Sequence, residues 1–160
     1  KDHYADARVI GLGDASGGYR GANFNPFDVW AIGDVLDQSS RFDSINRDGL
    51  GFYELFIAAG ERGDMVLASF DTKEDTVQKQ FMGALGQEVE SLLPTLKANL
   101  AEISDQTTNF NYFVAEGSFH TILLRPQLYS LTESGVSFLE WFEELMRTGS
   151  VENILCRDCN

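Results

Sequence analysis

The sequence has little positive charge. Of its 160 residues, 12 are Lys or Arg and 25 are Asp or Glu, which gives a formal net charge of −13 at pH 7. Binding to nucleic acid requires a cationic surface that displaces counterions from phosphates, and anionic lipid attracts the same kind of surface. We therefore expect neither nucleic acid nor a membrane as a partner.

Long apolar runs are also absent. No run approaches the roughly 20 residues that span a bilayer, and Lys1 to Tyr4 carry neither the basic nor the hydrophobic region of a signal peptide. Apolar residues still make up 43% of the chain, which is enough for one core. The sequence predicts a single soluble domain, and we expect any export signal to have been removed upstream of Lys1.

Cysteine is scarce, and both thiols lie near the C-terminus, at Cys156 and Cys159. There is no second pair for a zinc ribbon, and no helix start that a thioredoxin-like motif would need. We expect a short structural disulfide, with a redox or metal role and free thiols as the alternatives. A disulfide favours an extracytoplasmic location. No motif indicates a metal or a cofactor, and we expect neither.

The pattern of apolar residues predicts an alternation of strands and helices. Short apolar runs predict strands at residues 7–12, 65–70 and 110–115, and a brief one at 127–132. Helical spacing predicts helices behind Asn25-Pro26 and at 53–59, 77–85, 88–104 and 135–147. In the helix at 77–85 we expect Val77, Phe81 and Leu85 to point inward. In the helix at 88–104 we expect a kink or a restart at Pro94.

This order is typical of an α/β protein with a parallel sheet. Three strands are few for a parallel sheet that is covered on both faces. We therefore expect residues 1–160 to be one portion, the C-terminal part, of a larger α/β domain.

Three polar side chains follow the predicted strands, namely Asp14, Asp71 and His120. Ligands of open parallel sheets bind beyond the carboxyl ends of the strands. His120 is the only credible imidazole base, because the other histidine, His3, lies at the N-terminus. A catalytic imidazole needs a carboxylate to orient it, and α/β-hydrolases carry Ser, Asp and His in that chain order.

We therefore predict His120 as general base and Asp71 as its orienting carboxylate, with Asp75 as the alternative carboxylate. The simpler interpretations are a helix cap for Asp71 and an ordinary loop histidine for His120.

A nucleophile is harder to find. Ser16 follows the first strand, but a nucleophile elbow needs small residues around the serine and a helix behind it, whereas Asp14 precedes Ser16 and glycines follow it. The glycine-rich stretch at 13–21 also lacks the spacing of dinucleotide and phosphate loops. We expect Asp14 and Ser16 to line a pocket, and a compact hydrolase that uses Ser16 is an alternative.

Several segments resemble the pectin acetylesterase and Notum-type carboxylesterase family. Residues 4–17 (YADARVIGLGDASG) resemble the segment that follows its nucleophile helix and ends in a Gly/Ala-Asp-Ser/Ala-Gly loop. Residues 67–71 (LASFD) are similar to its strand with the catalytic aspartate, and residues 116–123 (EGSFHTIL) to its histidine loop. The tail from residue 135 to the two cysteines is similar to the bacterial branch.

The resemblance implies an α/β-hydrolase-type serine esterase that acts on a small ester or an acylated carbohydrate. In that family the Gly-x-Ser-Ala-Gly elbow and the oxyanion-hole glycines precede the segment equivalent to residues 4–17, and these 160 residues contain neither. The resemblance thus implies that an upstream half or a second chain carries the nucleophile. The alternative is a non-catalytic carbohydrate- or acyl-binding remnant of the same fold.

Overall fold

The computed structural model describes residues 6–19, 31–38, 40–43, 45, 51–63, 65–84 and 86–159. In chain order, its helices and strands are β1 (Ile10–Asp14), α1 (Ile32–Leu36), α2 (Phe52–Glu61), β2 (Val66–Thr72), α3 (Thr76–Ala84), α4 (Leu93–Gln106), β3 (Phe110–Ala115), β4 (Thr132–Glu133), β5 (Val136–Ser137) and α5 (Phe138–Thr148). Asn25 and Pro26, where a helix was expected to begin, lie outside the described residues.

Three of the strands form a parallel sheet in the order β1-β2-β3. The α/β prediction is therefore confirmed at the level of a three-stranded parallel sheet flanked by helices. Strands β1 and β2 run two residues beyond the predicted ends, to Asp14 and Thr72. Asp14 and Asp71 consequently lie within their strands rather than in the loops that follow.

The central strand β2 separates two apolar clusters. Leu67 packs with Leu96 of α4 on one face of the sheet, and Phe70 packs with Phe113 and Phe138 on the other. Alternate residues of a strand point to opposite faces, and burial of each such side chain contributes roughly 1.5–3 kcal/mol. Apolar packing therefore stabilises the sheet on both faces and positions the loops that follow the carboxyl ends of its strands.

The inward face of α3 differs from the predicted one. Gln78 and Met82 are buried, whereas Val77 is 43% exposed. Leu85 lies outside the described residues. A polar residue occupies the inner position because buried carboxylates supply its hydrogen bonds, and an apolar pattern cannot reveal this.

Two other predicted elements begin later or are replaced. Helix α4 begins at Leu93 with Pro94 in its first turn, where a missing N–H costs nothing, so the chain is not kinked there. The predicted strand at 127–132 is wrong, because Pro126–Tyr129 is a 3₁₀ helix and the β4–β5 hairpin follows it. The last helix therefore begins at Phe138, capped by Ser137.

Cys156 and Cys159 form the expected disulfide. Both residues are buried in the cluster around Leu96, and Lys97 Nζ donates to the Cys159 carbonyl at 2.8 Å. The disulfide closes the C-terminal turn, and its burial together with the Lys97 hydrogen bond holds that turn against α4, which fits the structural interpretation. In the described part of the chain, no helix is both long and apolar enough to cross a membrane.

Candidate active site

His120 is paired with Asp75. Its Nδ1 atom lies 2.8 Å from Asp75 Oδ2, the imidazole is 30% exposed, and the carboxylate is fully buried. The expected imidazole–carboxylate contact therefore exists, but the partner is the alternative carboxylate and not Asp71. Because a carboxylate accepts, Nδ1 donates, and this leaves Nε2 as the basic nitrogen.

Asp75 directly precedes α3 and caps it. Its Oδ1 accepts from the backbone N–H groups of Val77 and Gln78 at 2.8 and 3.0 Å. Its Oδ2 accepts from His120 Nδ1 at 2.8 Å and from Gln78 Nε2 at 3.2 Å. Four donors thus fix the orientation of the carboxylate, and the helix N-terminus favours negative charge at this position.

The loops that carry Asp75 and His120 are joined along their length. Hydrogen bonds between residues 72–76 and 115–119 continue the pairing of β2 and β3 beyond the strand ends. They run from Lys73 N to Ala115 O (3.0 Å), Glu74 N to Gly117 O (3.0 Å), Thr76 N to Ser118 O (3.1 Å) and Thr72 Oγ1 to Phe119 O (2.7 Å). These hydrogen bonds bring the imidazole to the carboxylate and restrict the distance between them.

Both carboxylate oxygens of Asp14 accept hydrogen bonds from the backbone behind His120. Its Oδ1 accepts from Ile122 N at 2.8 Å and its Oδ2 from Leu123 N at 3.0 Å. Thr121, between His120 and these two residues, has φ +59°, a left-handed conformation that costs a β-branched residue about 1–3 kcal/mol. The two charge-assisted hydrogen bonds offset that strain.

Asp71 is fully buried on the face of β2 that also carries Ser69. It accepts from Ser69 Oγ at 2.5 Å, Gly17 N at 2.9 Å and Gln78 Nε2 at 3.0 Å. Burial raises the pKa of Asp71 to about 6, although these hydrogen bonds act in the other direction. Because Asp71 lies within the strand and not after it, its side chain points to one face of the sheet and does not reach the histidine loop.

Gln78 links the two carboxylates, and sequence reasoning missed it. Its side-chain nitrogen donates to both Asp71 and Asp75, and its Oε1 accepts from Gly18 N at 2.9 Å. These partners fix the orientation of the amide. Its position three residues after a capping aspartate, in the first turn of a helix, is the only local signal that could have identified it.

The glycines after β1 pack onto this carboxylate cluster. A Cβ atom at Gly17 would lie 2.6 Å from Asp71 Oδ2, and one at Gly18 would lie 2.5 Å from Leu92 Cδ1. The N–H groups of both glycines already donate to Asp71 and Gln78. Close packing thus explains the glycines at 17 and 18, and the N–H groups of these two residues are not free to bind an anion.

Ser16 is not brought to His120. Its Oγ lies 2.5 Å from the position of a Cβ atom at Gly13, and among the described residues it makes no hydrogen bond to the imidazole. The N–H of Gly17, which would serve as an oxyanion donor if Ser16 were the nucleophile, is held by Asp71. The geometry therefore weighs against the compact hydrolase.

Tyr19 lies beside the carboxylates and was also missed. Its ring contacts Phe52 and Phe81 at centroid distances of 5.1 and 5.0 Å. Burial, followed by the charges of Asp75 and Asp71, raises the pKa of its phenol. Tyr19 therefore keeps its proton at physiological pH.

No protein-family model, curated protein or solved structure matches the chain. Among the described residues, no group of three or more His, Cys, Asp or Glu side chains is arranged to hold a metal ion. The chemistry of the site must therefore be inferred from its own geometry.

The raised pKa of Asp71 predicts a pH-dependent stability. Between about pH 4 and 6 the folded state keeps a proton that the unfolded chain releases, so the free energy of unfolding falls as pH rises. The loss approaches roughly 3 kcal/mol above pH 6. We expect Asp71→Asn to remove this component, because an amide can also accept from Gly17 and Gln78 and can donate to Ser69. Urea unfolding of both proteins at pH 4 to 8 tests this, and parallel curves would contradict it.

Proposed function

We propose that the chain is the C-terminal portion of an α/β-hydrolase-type serine carboxylesterase, in which His120 is the general base and Asp75 its orienting carboxylate. The observation that carries the proposal is the 2.8 Å hydrogen bond between Nδ1 and a fully buried carboxylate on an otherwise half-buried imidazole. Within the described residues, Nε2 has no hydrogen-bonding partner. An oriented imidazole with a free basic nitrogen is the arrangement that acyl transfer requires.

In this reaction Nε2 takes the proton of a serine hydroxyl as the oxygen attacks the ester carbonyl. The same proton then passes to the leaving alcohol, and an acyl-serine remains. Water then attacks the acyl-serine while Nε2 takes its proton, and that proton passes to the serine oxygen as the acid is released. Asp75 stays a carboxylate throughout and stabilises the imidazolium that forms.

The serine and the oxyanion donors belong, in this proposal, to an upstream segment or a second chain. Within the described residues β1 pairs only with β2, and every residue of β1 is half-buried, whereas β2 is almost fully buried. Parallel sheets are normally covered on both faces and extended by further strands. A strand added beside β1 would end at the same edge of the sheet as His120, where the nucleophile of an α/β-hydrolase lies.

The charge of the chain bears on its substrate. A formal charge of −13 disfavours a polyanion such as deacetylated pectin. We therefore propose a small neutral ester or an acylated neutral carbohydrate. The disulfide supports an extracytoplasmic location.

Two experiments test the proposal. The 160-residue chain is first incubated with a fluorophosphonate probe and digested. We expect no labelled serine, whereas a label on Ser16 would establish the compact hydrolase instead. Hydrolysis of p-nitrophenyl acetate is then measured for the chain expressed from its complete reading frame. Activity that is lost in His120→Ala supports the esterase, and the absence of serine-dependent hydrolysis overturns it.

An apolar cavity favours one second candidate, a non-catalytic acyl-binding protein. The cavity has a volume of about 320 Å³, and its walls include Gly11, Gly13, Phe52, Leu55, Phe56 and Ala59. Gly11 and Gly13 contribute no side chains to this space, and apolar walls suit a hydrocarbon chain. Saturable binding of a fluorescent fatty acid to a protein that hydrolyses no ester would favour this candidate.

A further inference from the structure

The carboxylate of Asp14 bridges two parts of the sheet that are not neighbours. Asp14 ends β1, whereas its partners Ile122 and Leu123 follow β3, and β2 lies between the two strands. Asp14 and Ile122 are 108 positions apart in the chain. Both carboxylate oxygens are used in these contacts, so the side chain ties the edge strand to the segment directly behind His120.

The two N–H groups converge because of the backbone at Thr121. Its left-handed conformation, with φ +59°, turns the chain so that consecutive N–H groups face one anion. His120 is thus held from both sides. Thr72 holds the carbonyl of Phe119 before it, and Asp14 holds the two residues that follow Thr121.

The carbonyl of His120 is also held, by Arg125 Nε at 2.8 Å. Arg125 is exposed, and its guanidinium also lies over the Phe119 ring, so this contact belongs to the loop itself. Asp14, by contrast, comes from the rigid sheet. Asp14 therefore fixes the position of the histidine loop relative to the sheet, in which β2 carries Asp71 and leads into the loop that carries Asp75.

We propose that Asp14 is a positioning residue, which keeps the imidazole of His120 on Asp75 by anchoring the N–H groups of Ile122 and Leu123 to the end of β1. Its importance for catalysis rests on the proposed esterase function. Its effect on the His120–Asp75 hydrogen bond does not, and can be measured in the chain without any substrate.

The measurement is the proton NMR signal of His120 Nδ1–H, which is shifted downfield by the carboxylate, and its rate of exchange with water. The variant His120→Gln assigns the signal, since only one other histidine is present. We expect exchange about tenfold faster in Asp14→Ala than in the unaltered chain, because the loop opens more often. Asp14→Asn keeps the size of the side chain and one acceptor oxygen, and we expect an intermediate rate from it.

Ser137→Ala is the matched control for a general loss of stability. It removes the cap of α5, whose hydrogen bond to Glu140 N involves no residue of the histidine loop, and we expect its melting temperature to fall while the exchange rate stays unchanged. If Asp14→Asn behaves like this control, with a lower melting temperature and an unaltered signal, the positioning role is overturned. The comparison of Asp14→Asn with Ser137→Ala can be made even if Asp14→Ala does not fold.

In the complete esterase, the positioning role predicts that Asp14→Asn lowers kcat and leaves KM unchanged. If the complete protein hydrolyses no ester, the proposed function fails, and the exchange measurement still decides the role of Asp14.

Discussion

Asp75→Asn is expected to lower the kcat of the complete esterase about 10⁴-fold. The amide oxygen would stay on the N–H groups of Val77 and Gln78, so the NH₂ group would face Nδ1 where the carboxylate now accepts. The imidazole would then carry its proton on Nε2, which could no longer take a proton from the serine. The measurement is steady-state hydrolysis of p-nitrophenyl acetate, with folding of the variant confirmed by circular dichroism.

Asp71→Asn is the matched control, since it makes the same chemical change at a carboxylate that is equally buried. We expect its kcat to stay within about tenfold of the unaltered enzyme, because Asp71 reaches the imidazole only through Gln78 and Asp75. The opposite ranking of the two variants would make Asp71 the orienting carboxylate. Equal and small effects would contradict the triad altogether.

The choice between these two aspartates shows where the sequence is sufficient and where it is not. The three parallel strands and the loop position of His120 follow from apolar runs and from the place of the histidine after the last of them. The choice of carboxylate depends on the exact end of β2. The strand continues to Thr72, which keeps Asp71 within the sheet. Of the two carboxylates that follow, Glu74 is bonded to Lys79 and Ser91, and Asp75 meets the histidine.

The contacts of the other two contributors, Asp14 and Gln78, do not follow from the pattern of apolar residues, and the partners of Asp14 also lie far away along the chain. Asp14 acts on residues that follow the third strand, and its two acceptors could be assigned only once the left-handed turn at Thr121 was placed. Gln78 interrupts the apolar face expected of α3, and its burial is explained only by the two carboxylates it joins. A pattern of hydrophobicity carries no information on such polar networks.

Gly17→Ala is expected to destabilise the fold by about 3 kcal/mol, the upper part of the range for overpacking a filled core. The added methyl would lie 2.6 Å from Asp71 Oδ2 and 2.7 Å from Leu96 Cδ1, so that both the buried carboxylate and α4 would have to move. Moving Asp71 also loosens Gln78, which holds Asp75 in turn. The urea midpoint of unfolding should therefore fall, and the downfield His120 signal should weaken.

Gly83→Ala provides the control, because it adds the same methyl group inside α3, where the new Cβ would have no atom within 4 Å apart from its chain neighbours and the backbone of its own helix. There the substitution should stabilise the fold by about 0.5–1 kcal/mol, since alanine loses less backbone entropy than glycine in a helix. Equal stabilities of Gly17→Ala and the unaltered chain would mean that the glycine loop does not press on the carboxylates.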